Sequence, residues 1–222
     1  MLQIAGLTSL ADLDAMARAR LYAAPPDLSQ SWAGTPGRLG PSDFDLNPDL
    51  LPTLAATPPP RLAAVVVPIV LRSPPTVLLT RRTDHLARHA GQVAFPGGRQ
   101  DETDADLRAT ALRELAEETG ISARHVIPLG YLDWYRTGTG YAVCPLVAAL
   151  DTGFTLAPDA NEVADIFEVP LAFVLDPANL REMSREFSGT TRHFYAMTHG
   201  EHLIWGATAG IIRNFCERLR EA

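Results

Sequence analysis

Three glutamates, Glu114, Glu117 and Glu118, follow Arg113 within the run GGRQDETDADLRATALRELAEETGI, from Gly97 to Ile121. At about 100° per residue, a helix gathers these carboxylates into one arc of roughly 100° and sets Ala109, Leu112 and Ala116 on the opposite side. Like charges three and four residues apart repel by about 0.2–0.5 kcal/mol per pair, so the cluster calls for a cation. Crowded carboxylate oxygens suit Mg²⁺ or Mn²⁺. The guanidinium fork of Arg113 can orient and partly neutralise them. Gly97 and Gly98 let the backbone turn tightly upstream and bring a carbonyl toward a ligand. Taken alone, the same residues also describe a solvated acidic helix with Arg113 in a surface pair with Glu117.

The acidic helix needs a start, an end and a sheet to lie on. Thr103 with Asp106 has the spacing of a capping box, and Gly120 suits a C-cap. RLAAVVVPIVL (61–71) is rich in β-branched residues and reads as a strand, with Pro68 marking an edge or a bulge. SPP turns the chain into TVLLTRR, and Gln92 to Phe95 forms a short strand entering the glycine pair. Further strands are expected at VIPLGYLDW, YAVCPLVAAL, DIFEVPL and TTRHFYAM, the last joined through HGE to HLIW. A closing helix, ATAGIIRNFCERL, buries Ile211, Ile212 and Phe215. Toward the N-terminus, Thr8 or Ser9 caps a helix over LADLDAMARARLY with an apolar stripe of Leu10, Leu13, Met16, Ala17 and Leu21. Residues 24–60 hold much of the proline and read as an extended arm. The domain reading is therefore a helix and arm over 1–60 packing on a main domain over 61–222. The fold class is α/β, a mixed sheet between helical layers.

The acidic helix belongs to a longer pattern. It resembles the Nudix box of diphosphate hydrolases, G-x5-E-x7-R-E-U-x-E-E-x-G-U, where U is aliphatic. Gly98, Arg113, Glu114, Leu115, Glu117, Glu118, Gly120 and Ile121 match; Asp104 replaces the first glutamate, with eight residues rather than seven before Arg113. Upstream, LLTRRTDHLARHAGQVAFPGG (Leu78 to Gly98) is similar to the signature LLT-x-R-(S/T)-x-x-L-x-x-H-x-GQVAFPGG of the coenzyme A pyrophosphatase branch. IWGATAGIIRNF (Ile204 to Phe215) resembles that branch's closing strand and helix.

The resemblance implies a Nudix α/β/α sandwich and hydrolysis of coenzyme A, or an acyl derivative, to 3′,5′-ADP and 4′-phosphopantetheine. It implies Mg²⁺ or Mn²⁺ on Glu114 and Glu118, with Glu117 a third ligand or the base, and a carbonyl from Gly98. Arg113 then orients the glutamates, while Arg82 and His89, at fixed positions of the signature, meet phosphates. Arg81 and Arg88, off those fixed positions, are candidates for a phosphate contact or for a solvated surface, and His85 is weaker still. Glu162, in a downstream loop, serves as a base, a second ligand or a loop cap. A homodimer is expected from the same resemblance and from the apolar N-terminal helix. Rival functions are hydrolysis of ADP-ribose or NADH, nucleotide sensing without catalysis, and RNA decapping.

Composition narrows the field. A chain of 222 residues, 46% hydrophobic and 20% charged, can bury one substantial core. A net charge of −7 argues against a general nucleic-acid binder. Cys144 and Cys216 lack the spacing of a zinc or disulfide framework and read as small buried hydrophobes. With no apolar run of about 18 residues, no membrane span is expected, nor is a signal peptide. A cytoplasmic enzyme follows as the expectation.

Overall fold

The ten residues of β1 (Arg61–Val70) bury nearly every side chain on both faces, which only the interior of a covered sheet allows. In the computed structural model, which describes residues 7–29, 41–50, 59–85, 90–187 and 189–220, that sheet is the centre of the molecule. The chain runs from α1 (Leu10–Arg20) through β1 to β2 (Thr76–Arg82), β3 (Val93–Ala94) and β4 (Gly97–Arg99), then into the acidic helix α2 (Leu107–Thr119). It continues through β5 (Val126–Tyr131), β6 (Tyr135–Arg136), β7 (Tyr141–Leu150), β8 (Val163–Pro170) and the short α3 (Leu171–Leu175). The hairpin strands β9 (Arg181–Phe187) and β10 (Thr190–His199), then β11 (His202–Trp205) and α4 (Ala207–Arg220), complete it.

The main sheet runs β3-β2-β1-β7-β5, with β4 on β1, β6 on β7 and β8 on β2. β1 pairs with β7 in parallel along its whole length, and the other described pairs are antiparallel, so the sheet is mixed. Alternation along the strands assigns the two cores. Ala64, Val66, Val70 and Leu78 pack with Ala111 and Leu115 of α2. Val67, Ile69, Val77 and Leu79 pack on the other face with Ile211, Ile212 and Phe215 of α4 and with Leu13 and Met16 of α1. A helix on each face makes the α/β/α sandwich expected. Each fully buried Leu of this kind contributes about 1.5–3 kcal/mol from water exclusion.

Pro68 is the first correction. β1 is interior rather than an edge, and Pro68 lies opposite Ala148 within the parallel pair. Val66 donates to Pro96 on the other side. Two positions further on, Pro68 falls between the β4 pairing, which ends at Val65, and the β2 pairing, which begins at Ile69. No ladder donor is demanded at that point, so proline is tolerated.

Ser9 caps α1 with a reciprocal capping box to Asp12, as the sequence suggests. Asp133 ties α1 to α4: it accepts from Tyr22 Oη at 3.1 Å and Asn214 Nδ2 at 2.9 Å and pairs with Arg218 Nε at 3.1 Å. Of the expected arm, residues 30–40 and 51–58 lie outside the described residues. Between them Ser42 bridges Arg136, and Asn47 bonds both backbone groups of His193. Both cysteines are buried and free, their thiols pushed up to about 12 for Cys144 and about 11 for Cys216 by burial. Among the described residues no helix is long and apolar enough to cross a membrane.

Candidate active site

The acidic helix begins and ends for local reasons. Asp106, not Thr103, is its N-cap, with Oδ1 accepting the Ala109 amide at 2.7 Å. Gly120 closes it at φ 78°, the left-handed conformation that favours glycine, and its N–H reaches the Ala116 carbonyl. The buried face differs from the one a simple wheel suggests. Thr110, Ala111, Leu115, Glu118 and Thr119 are buried, whereas Ala109, Leu112 and Ala116 are only half-covered. Apolarity alone misplaces the face because Glu118, one of the three carboxylates, points inward with 7% of its side chain exposed.

Glu114, Glu117 and Glu118 line a cavity of about 140 Å³ together with Asp159 and Glu162 from the loop before β8. That space admits an ion with several waters. Among the described residues, Glu118 Oε2 is buried with no hydrogen-bond partner. Burial pushes its carboxyl up to about 8 even though Arg82 Nη1, 3.8 Å from Oε1, favours the anion. Glu114 is likewise raised, first by burial and against the pull of Arg113.

Arg113 is the organiser. Its Nε and Nη2 donate to the two oxygens of Asp104 at 3.0 and 2.9 Å, its Nη1 to Glu114 and Glu117 at 2.9 Å each, and its Nη2 also to the Arg99 carbonyl at 3.2 Å. Asp104, almost wholly buried, further accepts the Asp101 amide and the Thr110 hydroxyl. These bonds, the Arg113 fork foremost, hold its carboxyl far below the usual range. The substituted first acid of the box thus acts as the clamp on Arg113.

The glycine pair is a strand rather than a free turn: Gly97 and Gly98 lie in β4, opposite Val65 and Ala64. A side chain at Gly97 would meet the β1 backbone at Ala64 O and Val65 Cα. One at Gly98 would instead meet the Glu114 carboxyl at 2.3–2.6 Å. Gly98→Ala is therefore expected to leave the fold within about 1 kcal/mol while cutting turnover about 10- to 100-fold by displacing a carboxylate of the cavity. Gly97→Ala, pressed against unyielding backbone, should instead lower the melting temperature sharply; melting curves beside kcat separate the two.

Strand alternation separates the arginines. Arg82 faces Glu118, and its Nε is buried without a partner among the described residues. Arg81, one residue earlier, turns to the opposite face, pairs in register with Asp165 and lies 3.5 Å from Asp84, so it does not join the carboxylate cavity. His89 and Arg88 lie outside the described residues. His85 stands 3.5 Å from the Thr83 hydroxyl. Asp159 is a lining residue the sequence reading passed over; the D-x-x-E spacing to Glu162 was its only signal.

The donor set fits a hard divalent cation. Five carboxylates surround one small space, Arg113 is already fully engaged, and one deeply buried oxygen has no partner among the described residues, a costly state unless a cation meets it. Among the described residues no three side chains already converge tightly enough to cage an ion, consistent with Arg113 holding Glu114 and Glu117.

The NUDIX domain family model matches residues 60–188. The uncharacterized Nudix hydrolase NudL of Yersinia pestis (strain Pestoides F) is 42% identical over 159 residues, covering 72% of this chain and 80% of the relative. NudL of Yersinia pseudotuberculosis (serotype O:1b) shows the same figures. Among solved structures, the NUDIX domain of Shewanella oneidensis NrtR, complexed with ADP ribose, superposes with a TM-score of 0.40 at 24% identity, over 58% of this chain and 86% of that one. A MutT/nudix family protein from Enterococcus faecalis gives a TM-score of 0.43 at 15% identity, over 77% and 68%. With the family model spanning more than half the chain, and with relatives this similar, the protein belongs to the Nudix hydrolase family.

Proposed function

We propose that this chain hydrolyses the diphosphate bond of coenzyme A or its acyl derivatives, giving 3′,5′-ADP and a 4′-phosphopantetheine species. The observation that carries metal-dependent hydrolysis is the buried Glu118 carboxylate, one oxygen without a partner among the described residues, in a cavity with four other carboxylates. Nudix hydrolases generally use divalent metal ions, and Mg²⁺ or Mn²⁺ bound there offsets the negative charge of a diphosphate and acidifies a bound water. Glu114 and Glu118 hold the ion. Glu117 is a third ligand or, like Glu162, a base for the attacking water. Its oxygen bonds to one phosphorus, the bridging P–O bond breaks, and the proton passes to a carboxylate. Arg113 keeps Glu114 and Glu117 in place, and Arg82, beside Glu118, offers its guanidinium to a phosphate oxygen.

The substrate class rests on the likeness of Leu78–Gly98 and Ile204–Phe215 to the coenzyme A pyrophosphatase signature. A panel of coenzyme A, dephospho-coenzyme A, ADP-ribose and NADH, assayed with each metal, tests it. Coenzyme A should be the best substrate, and removal of its 3′-phosphate should lower kcat/KM. Unchanged turnover of dephospho-coenzyme A beside faster hydrolysis of ADP-ribose would refute the choice.

A further inference from the structure

The wall of the cavity opposite α2 is a loop, and a loop holds two carboxylates in register only if something fixes it. Its near end is tied to the acidic helix itself, where the Ala157 amide donates to the Thr119 carbonyl at 2.8 Å. Internally, Asp159 accepts the amides of Glu162 and Val163 on its carbonyl and that of Asn161 on Oδ1. At the far end, where Val163 enters β8 opposite Arg82, the loop is also held by the residue that follows Arg82. Thr83, buried at 6% exposure just after β2, donates its N–H to the Glu162 carbonyl at 2.9 Å and its hydroxyl to the Asn161 carbonyl at 3.1 Å. The neighbouring Arg82 faces Glu118, so a single dipeptide touches both walls of the cavity.

We infer that Thr83 is a positioning residue: its two hydrogen bonds fix the loop that sets Asp159 and Glu162 across from Glu114, Glu117 and Glu118. The inference rests on the hydrolytic reading above but assigns a residue that touches neither water nor phosphate. The hydroxyl bond is the separable part. Valine keeps the shape and the backbone bond and removes the donor, leaving the Asn161 carbonyl unsatisfied in a half-buried place. Serine restores the donor without the methyl group.

The test uses the full-length chain with Thr83→Val and Thr83→Ser. A loop misplaced by an ångström is expected to lower kcat about 10- to 100-fold in Thr83→Val, with KM for coenzyme A within about twofold. Thr83→Ser should recover most of that loss. Hydrogen exchange of the metal-free protein supplies a readout independent of turnover. Amides of residues 159–163 should exchange faster in Thr83→Val, while those of α2 and the central strands keep wild-type rates. Wild-type kcat in Thr83→Val, a loss that serine fails to recover, or unchanged exchange at 159–163 would each overturn the positioning role. An inactive wild type, by contrast, would overturn the hydrolytic reading, and the exchange comparison would still decide the latch.

Discussion

Replacing Glu118 by glutamine is expected to make the metal-free protein more stable and to abolish its metal-dependent turnover. The two effects come from one fact. A carboxylate with 7% of its side chain exposed, one oxygen unpartnered and its carboxyl raised to about 8 is a charge that the fold alone does not satisfy. Because the folded value lies above the ordinary 4.5, the folded state holds the proton more tightly than the unfolded chain does. Its contribution is fully present below about pH 4.5 and is lost as pH rises to about 8. The total is on the order of 5 kcal/mol, or roughly 10–20 °C of melting temperature for a chain of this size.

Metal-free wild type should therefore melt progressively lower from pH 5 to pH 8, and Glu118→Gln should flatten that slope. Added Mg²⁺ or Mn²⁺ should raise the wild-type melting temperature more at pH 8 than at pH 5, since the ion competes with the proton for one carboxylate. In Glu118→Gln the metal-induced rise should nearly vanish. Turnover should fall at least about 100-fold, more than the loss of an outer-shell partner costs. Calorimetry with and without metal, beside a steady-state assay, checks all of this. Retained turnover, or a wild-type melting temperature indifferent to pH and to metal, would remove Glu118 from the metal site.

How far such a site is visible before the structure depends on whether its residues obey a local rule. Arg113, Glu114, Glu117 and Glu118 do, because three- and four-residue spacing on a helix brings side chains together without help from the rest of the chain. The strands of the sheet were legible for the same reason: their interior positions carry β-branched and aliphatic residues in runs. β9 was not, since every residue of REMSREF is exposed and no hydrophobic alternation marks it. Its place is set by pairing with the adjoining β10 over seven positions, from Phe187 opposite Thr190 to Arg181 opposite Ala196, and not by any pattern of its own. Asp159 and the role of Thr83 were not legible, for another reason. Thr83 fills the S/T position of the upstream motif, but its bonds to the Asn161 and Glu162 carbonyls join segments some 78 residues apart, and that link in turn sets the local turn holding Asp159 at the cavity wall; no spacing within one segment encodes it. Arg81 and Arg82 show the converse limit: a motif names both, and only the pleat of β2 decides that one faces the carboxylates and the other Asp84.

Removing the Arg113 side chain should do the opposite of Glu118→Gln, costing both fold and function. Asp104 is 6% exposed at its side chain and takes both oxygens' bonds from that guanidinium, so Arg113→Met leaves a buried carboxylate whose principal partner is gone. Breaking one side of a buried pair costs about 3–5 kcal/mol, and Glu114 and Glu117 lose a shared donor in the same step. The acid limb should move too. The depressed Asp104 carboxyl contributes stability that is present above its ordinary 3.8 and lost as pH falls through the lower folded value. In Arg113→Met that contribution disappears, and acid unfolding should begin at a higher pH than in wild type. Arg113→Lys supplies one charge without the fork, so it should recover part of the stability and little of the turnover. Asp104→Leu in the Arg113→Met background removes the stranded charge. The double variant should therefore be more stable than the sum of the singles predicts by about 1–3 kcal/mol, while remaining inactive because Glu114 and Glu117 are still unheld. Strict additivity in that cycle, measured by denaturant unfolding, would mean that Asp104 and Arg113 do not act as one unit.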